Sequence, residues 1–249
     1  MSLNQLEFIQ GSFTLAFVLI SILIGVTFLI KYFRGKVNEF LLVGITWMGI
    51  VSPYYPDAIN FVLILWTGDQ LPIIIYFFLA NALIPPIHIT WMLAFTNLFY
   101  KEHQKLIVIL FAILAAIFEI VFLAFLFTNP SLIGTQVGPF YTDWELFVVV
   151  YLVFSIIVFL VTGLMFAKFY FKSLAKEVNL KGYFLMVAFI SFTVGTSLDA
   201  FLIGTFIPVS GLILAIARII LITASLEFYI GFAMPSWIKN IFVKIKTQE

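Results

Sequence analysis

Residues 183–235 read YFLMVAFISFTVGTSLDAFLIGTFIPVSGLILAIARIILITASLEFYIGFAMP, two apolar runs broken only at Ile207-Pro208-Val209-Ser210-Gly211. Each run is long enough to cross a bilayer as a helix, and the break has the composition of a turn. The first run carries Asp199 and the second Arg218, each seven or eight residues from that turn. At the rise of a helix this places both roughly 11–12 Å below one membrane edge. A lone charge at the centre of a membrane helix costs roughly 2.5–3.5 kcal/mol. Opposite charges at matched depth on adjacent antiparallel helices therefore predict an Asp199–Arg218 pair.

Outward from this hairpin the whole chain has the same character. It is 63% apolar, 18% aromatic and 10% charged over 249 residues, which is not a soluble composition. Seven spans are expected, at 12–30, 38–55, 71–100, 106–127, 146–167, 183–206 and 210–234. The first exceeds a signal-peptide core and ends at Lys31 rather than at a cleavage site, so it reads as a retained helix. The fold class expected is all-α: an integral membrane bundle of seven transmembrane helices over residues 1–235. Residues 236–249 form an amphipathic cytoplasmic tail, with Ile238, Ile241, Phe242 and Ile245 at helical spacing among lysines.

The basic residues orient the bundle. Lys31, Arg34 and Lys36 follow span one, and Lys101 and Lys105 follow span three. Lys168, Lys172, Lys176 and Lys181 follow span five, and Lys239, Lys244 and Lys246 follow span seven. Twelve of the thirteen basic residues thus fall on one side, the thirteenth being Arg218. The positive-inside rule predicts an N-terminus outside, a C-terminus in the cytoplasm, and a multi-pass protein of the cell membrane in contact with the lipid bilayer. The lysines are a topology signal, and no basic groove for nucleic acid exists.

On the outer side, Pro53-Tyr54-Tyr55-Pro56-Asp57 is expected to end span two. Residues 61–67 are apolar but too short to cross. They fit an interfacial or re-entrant piece, or span two continuing beyond a proline kink. A second outer loop runs over 128–145, with Phe140, Tyr141 and Trp144 as interfacial anchors. These loops either mark the membrane boundary or cap a pocket. Asp57, Asp69, Asp143 and Glu145 are all placed outside.

Glu119 lies eight residues from the end of span four at Phe127, at the depth of the Asp199–Arg218 pair. Ala112, Ala115 and Ala116 precede it; Ser191 and Gly195 precede Asp199; Gly211, Ala215, Ile222 and Ser225 flank Arg218. Small residues at such spacings mark faces where helices approach closely. One polar cluster of Glu119, Asp199 and Arg218 is therefore expected, as a ligand-binding site or as a structural clamp. One arginine opposite two acids leaves a surplus carboxyl able to take up a proton or meet a cationic ligand. Asn81 and His88 make a second polar patch on one face of span three, with Pro85-Pro86 as a kink. The patch fits either a hydrogen-bonded core or a ligand contact or proton relay.

Missing residues exclude several chemistries. A retinal Schiff base needs a lysine within the last helices, and spans six and seven have none. With two histidines, His88 and His103, and no cysteine, neither a metal site nor thiolate chemistry is expected. No Gly-x-Ser-x-Gly elbow and no phosphate loop occurs. No enzyme and no cofactor is expected.

Ile84-Pro85-Pro86 followed by Thr90-Trp91-Met92-Leu93-Ala94-Phe95 resembles the seven-transmembrane sensor region at the N-terminus of prokaryotic histidine kinases and related stand-alone heptahelical proteins. Thr128-Asn129-Pro130, Gly138-Pro139-Phe140 and Tyr229-Ile230-Gly231-Phe232-Ala233-Met234-Pro235 are similar too. The chain departs from that family in having no output domain before Glu249, so a sensor would signal through a separate cytoplasmic partner or as a homo-oligomer. The function expected is a receptor-like or sensory module binding a small ligand or lipid from the outer side. A secondary or proton-coupled transporter using the same cluster is the alternative, and a structural membrane scaffold comes third.

Overall fold

A computed structural model describes residues 3–202 and 210–242. The turn expected at Ile207-Pro208-Val209 and the tail beyond Phe242 lie outside these residues. The chain is all-α apart from one small hairpin. In order come α1 (Gln5–Gly35), α2 (Asn38–Ile50), α3 (Tyr55–Thr67), α4 (Ile73–Asn81), α5 (Ile84–Phe99) and α6 (Gln104–Thr128). There follow β1 (Gly134–Gly138), β2 (Tyr141–Trp144), α7 (Leu146–Phe171), α8 (Lys176–Ser197), α9 (Gly211–Ala233) and α10 (Ser236–Phe242). Among the described residues seven helical stretches are long and apolar enough to cross a membrane, two of them being the broken pairs α2–α3 and α4–α5. These are the dimensions of a multi-pass membrane protein, whose exposed leucines and isoleucines contact lipid.

Both breaks have a proline cause. Span two, expected over 38–55 with continuation beyond a proline kink as one alternative, runs on to Thr67. Pro53 lies in a tight 3₁₀ turn (Ser52–Tyr54) and Pro56 in the first turn of α3. A proline at a helix start gives up no hydrogen bond, because the first N–H groups lack partners anyway. The proline pair therefore restarts the helix instead of ending it, and the Tyr55 hydroxyl donates to the Met48 carbonyl at the bend, 2.5 Å away. In the next span Pro85 and Pro86 remove two donors from the ladder, and the helix is interrupted between Asn81 and Ile84.

The bundle is a ring. α1 packs against α2 and α9, α9 against α8, α8 against α7, and α2 against α5. α6 stands outside the ring against α5 and the end of α4. Glycines let the helices approach closely. A Cβ on Gly163 of α7 would lie 2.3 Å from the Phe189 ring of α8, and one on Gly44 of α2 would lie 3.1 Å from the Gly25 carbonyl of α1. Between the helices the core is largely aromatic. Trp91 stacks on Phe159 at 5.0 Å between centroids, and its indole N–H donates to Thr162 Oγ1 at 2.7 Å. Trp47 stacks on Phe228 at 4.0 Å.

The lysine-bearing end is drawn together by Lys31, which donates to the Ala233 carbonyl at 3.3 Å, and by a Lys239–Glu177 pair at 2.5 Å. α10 buries Ile238 there, whereas Ile241 and Phe242 are exposed.

Candidate functional site

Arg218 is on the buried stripe of α9, with Leu214, Ala215, Ala217 and Leu221 around it. Ala215 and Ala217 are small, and α9 packs against both α1 and α8 at this level. Two nitrogens of the guanidinium are hydrogen-bonded, and Nη1 is ion-paired without hydrogen-bond alignment. Nη1 lies 2.6 Å from Asp199 Oδ1, Nη2 lies 3.4 Å from Asp57 Oδ2, and Nε donates to Thr14 Oγ1 at 2.9 Å. The Tyr54 ring takes one face, with its centroid 4.4 Å from the guanidinium carbon, a cation–π contact. Three other stretches of the chain thus converge on this arginine of α9.

The two acids are held by different local devices. Asp199 sits in a π-helical turn (Leu198–Leu202) that widens the end of α8; such bulges recur at functional sites. Asp57 lies in the first turn of α3, where the helix dipole favours a negative charge. Tyr76 of α4 donates its hydroxyl to Asp57 Oδ1. Asp57 had been expected outside the membrane, but it is buried in the bundle, because the proline-started α3 turns it toward Arg218.

Above this cluster lies a cavity of about 90 Å³. At roughly 10–15 Å³ per water, that is room for on the order of six waters or one small organic group. Asp57, Asp199 and Arg218 line it together with Tyr76, Ser155 and Thr196, and apolar side chains such as Ile84, Phe159 and Phe192 supply much of the remaining wall. The β1–β2 hairpin contributes Phe140, Tyr141, Thr142 and Trp144. It is fixed through its turn: Gln10 of α1 donates to the Phe140 carbonyl at 2.9 Å, and Asn60 of α3 donates to the Pro139 carbonyl at 3.0 Å. Asn60 also accepts from the Leu71 N–H at 2.8 Å, joining the other loop at this end. Burial, with Asp143 and Asp199 nearby, raises the pKa of Tyr141, so its phenol stays a neutral donor.

Of the residues singled out in the sequence, Asp199 and Arg218 are brought together and Glu119 is not. Glu119 is half-buried on α6, near Tyr151 of α7 and outside the arginine's set of partners. Its depth matches, but α6 packs on α5 and α4 rather than on α8 and α9. Of the small residues before it, Ala115 is buried and Ala116 is exposed. Asn81 and His88 are both buried and serve separate contacts. Asn81 donates to the Phe77 carbonyl of its own helix at 3.0 Å. His88 Nδ1 lies 3.4 Å from the Tyr151 hydroxyl, and the ring sits among Phe111, Phe154 and Phe159.

Sequence reasoning missed Asp57, Tyr54, Tyr76 and Thr14. A usable signal was present for the first: Asp57, Asn60, Phe61 and Ile64 recur at helical spacing and are all buried. Among the described residues, no group of three histidines, aspartates or glutamates is placed to hold a metal ion. No family model, curated protein or solved structure matches the chain.

Proposed function

We propose that this multi-pass membrane protein is a receptor-like or sensory module of the cell membrane. It lies N-terminus out and C-terminus in, and binds a small ligand or lipid from the outer side. The observation that carries the reading is the cavity between the hairpin and the buried Arg218–Asp199–Asp57 cluster, at the end of the bundle away from the lysines. Ligand sites are typically concave and mostly apolar, with a few convergent polar groups. Ionisable residues inside membrane spans mark functional sites by default. The resemblance to histidine-kinase sensor regions points the same way, with signal passing to a separate cytoplasmic partner.

Transport is the second reading, favoured by the two broken helices beside the cavity, since discontinuous helices form the substrate sites of many carriers. Reconstitution separates the two. A sensor is stabilised against heat by a ligand without moving it across a liposome membrane; a carrier shows flux that Asp199→Asn abolishes. The orientation has its own test, helped by the absence of native cysteine. An impermeant maleimide added to intact cells should label Thr135→Cys on the hairpin and leave Asn240→Cys on α10 unlabelled. The reverse pattern would invert the topology and remove the outer-side reading.

A further inference from the structure

Resting on that reading, we infer that the cavity takes a small organic cation, a protonated amine carried on an apolar body. Charge balance is the first ground. The lining holds two carboxylates and one guanidinium, so with both acids ionised the site lacks one positive charge. A low-dielectric interior penalises such an imbalance severely.

Arg218 is the wrong anchor for an anion. Its Nη2 and Nε are already hydrogen-bonded to Asp57 and Thr14, Nη1 is ion-paired with Asp199 without hydrogen-bond alignment, and the Tyr54 ring covers one face. An incoming carboxylate would raise the negative surplus to two. An ammonium group displaces nothing and cancels the surplus.

Geometry assigns the anchor. Asp57 is the more enclosed acid, its side chain 6% exposed and its Oδ1 taken by Tyr76. Asp199 keeps 16% of its side-chain surface accessible and lines the cavity. The walls suit the same ligand. Tyr54, Tyr76, Phe140, Tyr141, Trp144 and Phe159 place aromatic rings around the space, and aromatic faces attract cations in desolvated sites. The ammonium therefore sits on Asp199, with its apolar body against the rings under the hairpin.

Three probes of one shape test this on the full-length protein in lipid nanodiscs: benzylammonium, benzyl alcohol and benzoate. The expected result is a concentration-dependent rise in Tm with benzylammonium that exceeds the rise with either of the others. Asp199→Asn should weaken the apparent affinity for benzylammonium about tenfold or more. Ser155→Leu provides a variant with the ion cluster intact. Among the described residues the Ser155 hydroxyl donates only to the Tyr151 carbonyl of its own helix, so the change fills the cavity and orphans no partner among them. It should abolish the benzylammonium shift in a folded protein. An equal shift with benzyl alcohol, or a larger one with benzoate, overturns the cationic class and leaves the pocket reading standing. No shift with any of the three overturns the inference together with the pocket reading beneath it.

Discussion

Arg218 and His88 are equally buried, each 1% exposed, yet their surroundings differ in kind. Arg218 is met by two carboxylates, a hydroxyl and a ring face, brought to α9 from three other stretches of the chain. His88 is met by phenylalanine rings, a long contact to Tyr151 and the backbone of Ile84 and Pro85 in its own helix. A guanidinium cannot shed its charge, so burying it requires counter-charges within reach. An imidazole has a neutral form, so burying it requires mainly shape. The first arrangement constrains four segments at once and leaves a cavity beside them. The second is a local packing solution on α5, α6 and α7.

The sharpest way to break this contrast is Arg218→Met. It strands two carboxylates in the bundle and should cost about 3–5 kcal/mol, read as a loss of folded protein in thermal unfolding. Adding Asp57→Asn and Asp199→Asn to it should restore most of that loss. A single variant as stable as the parent would show that the cluster carries no structural demand. Asp57→Asn alone is milder. It keeps an acceptor for Tyr76 but removes a charged partner of Arg218, for an expected cost of about 1.5–3 kcal/mol. His88→Phe should lie within about 1.5 kcal/mol of the parent in either direction, because a similar ring replaces the imidazole among aromatics. A loss as large as that of Arg218→Met would put a hidden charge partner at His88. Glu119→Gln is expected to be smallest, within about 0.5 kcal/mol, with the benzylammonium response unchanged. If that response fell, Glu119 would belong to the site after all.

How much of this was legible beforehand depends on which link of the argument each residue belongs to. Span positions follow from apolar length, and all seven appear in the structure with shifted ends. The Asp199–Arg218 pair followed from depth on consecutive helices, which share an interface through α8 and α9. Glu119 had the depth but not the neighbour. Depth is a one-dimensional quantity, whereas contact also depends on where a helix stands in the ring, and a single sequence does not state that α6 lies outside it. Asp57 failed for the opposite reason. Two prolines within five residues read as an exit from the membrane, whereas here one shapes a 3₁₀ turn and the other opens a helix. The fold around the site was therefore readable from local rules, but the third charged member depended on a chain path that local rules leave open.

The hairpin over the cavity is fastened by Gln10 and Asn60 to the backbone carbonyls of Phe140 and Pro139, not to their side chains. Every residue type presents the same carbonyl, so mutational drift at these positions would leave the fastening in place. On the proposed ligand-binding reading, preference for one compound over another can then change by substitution in the cover while its closure is inherited intact.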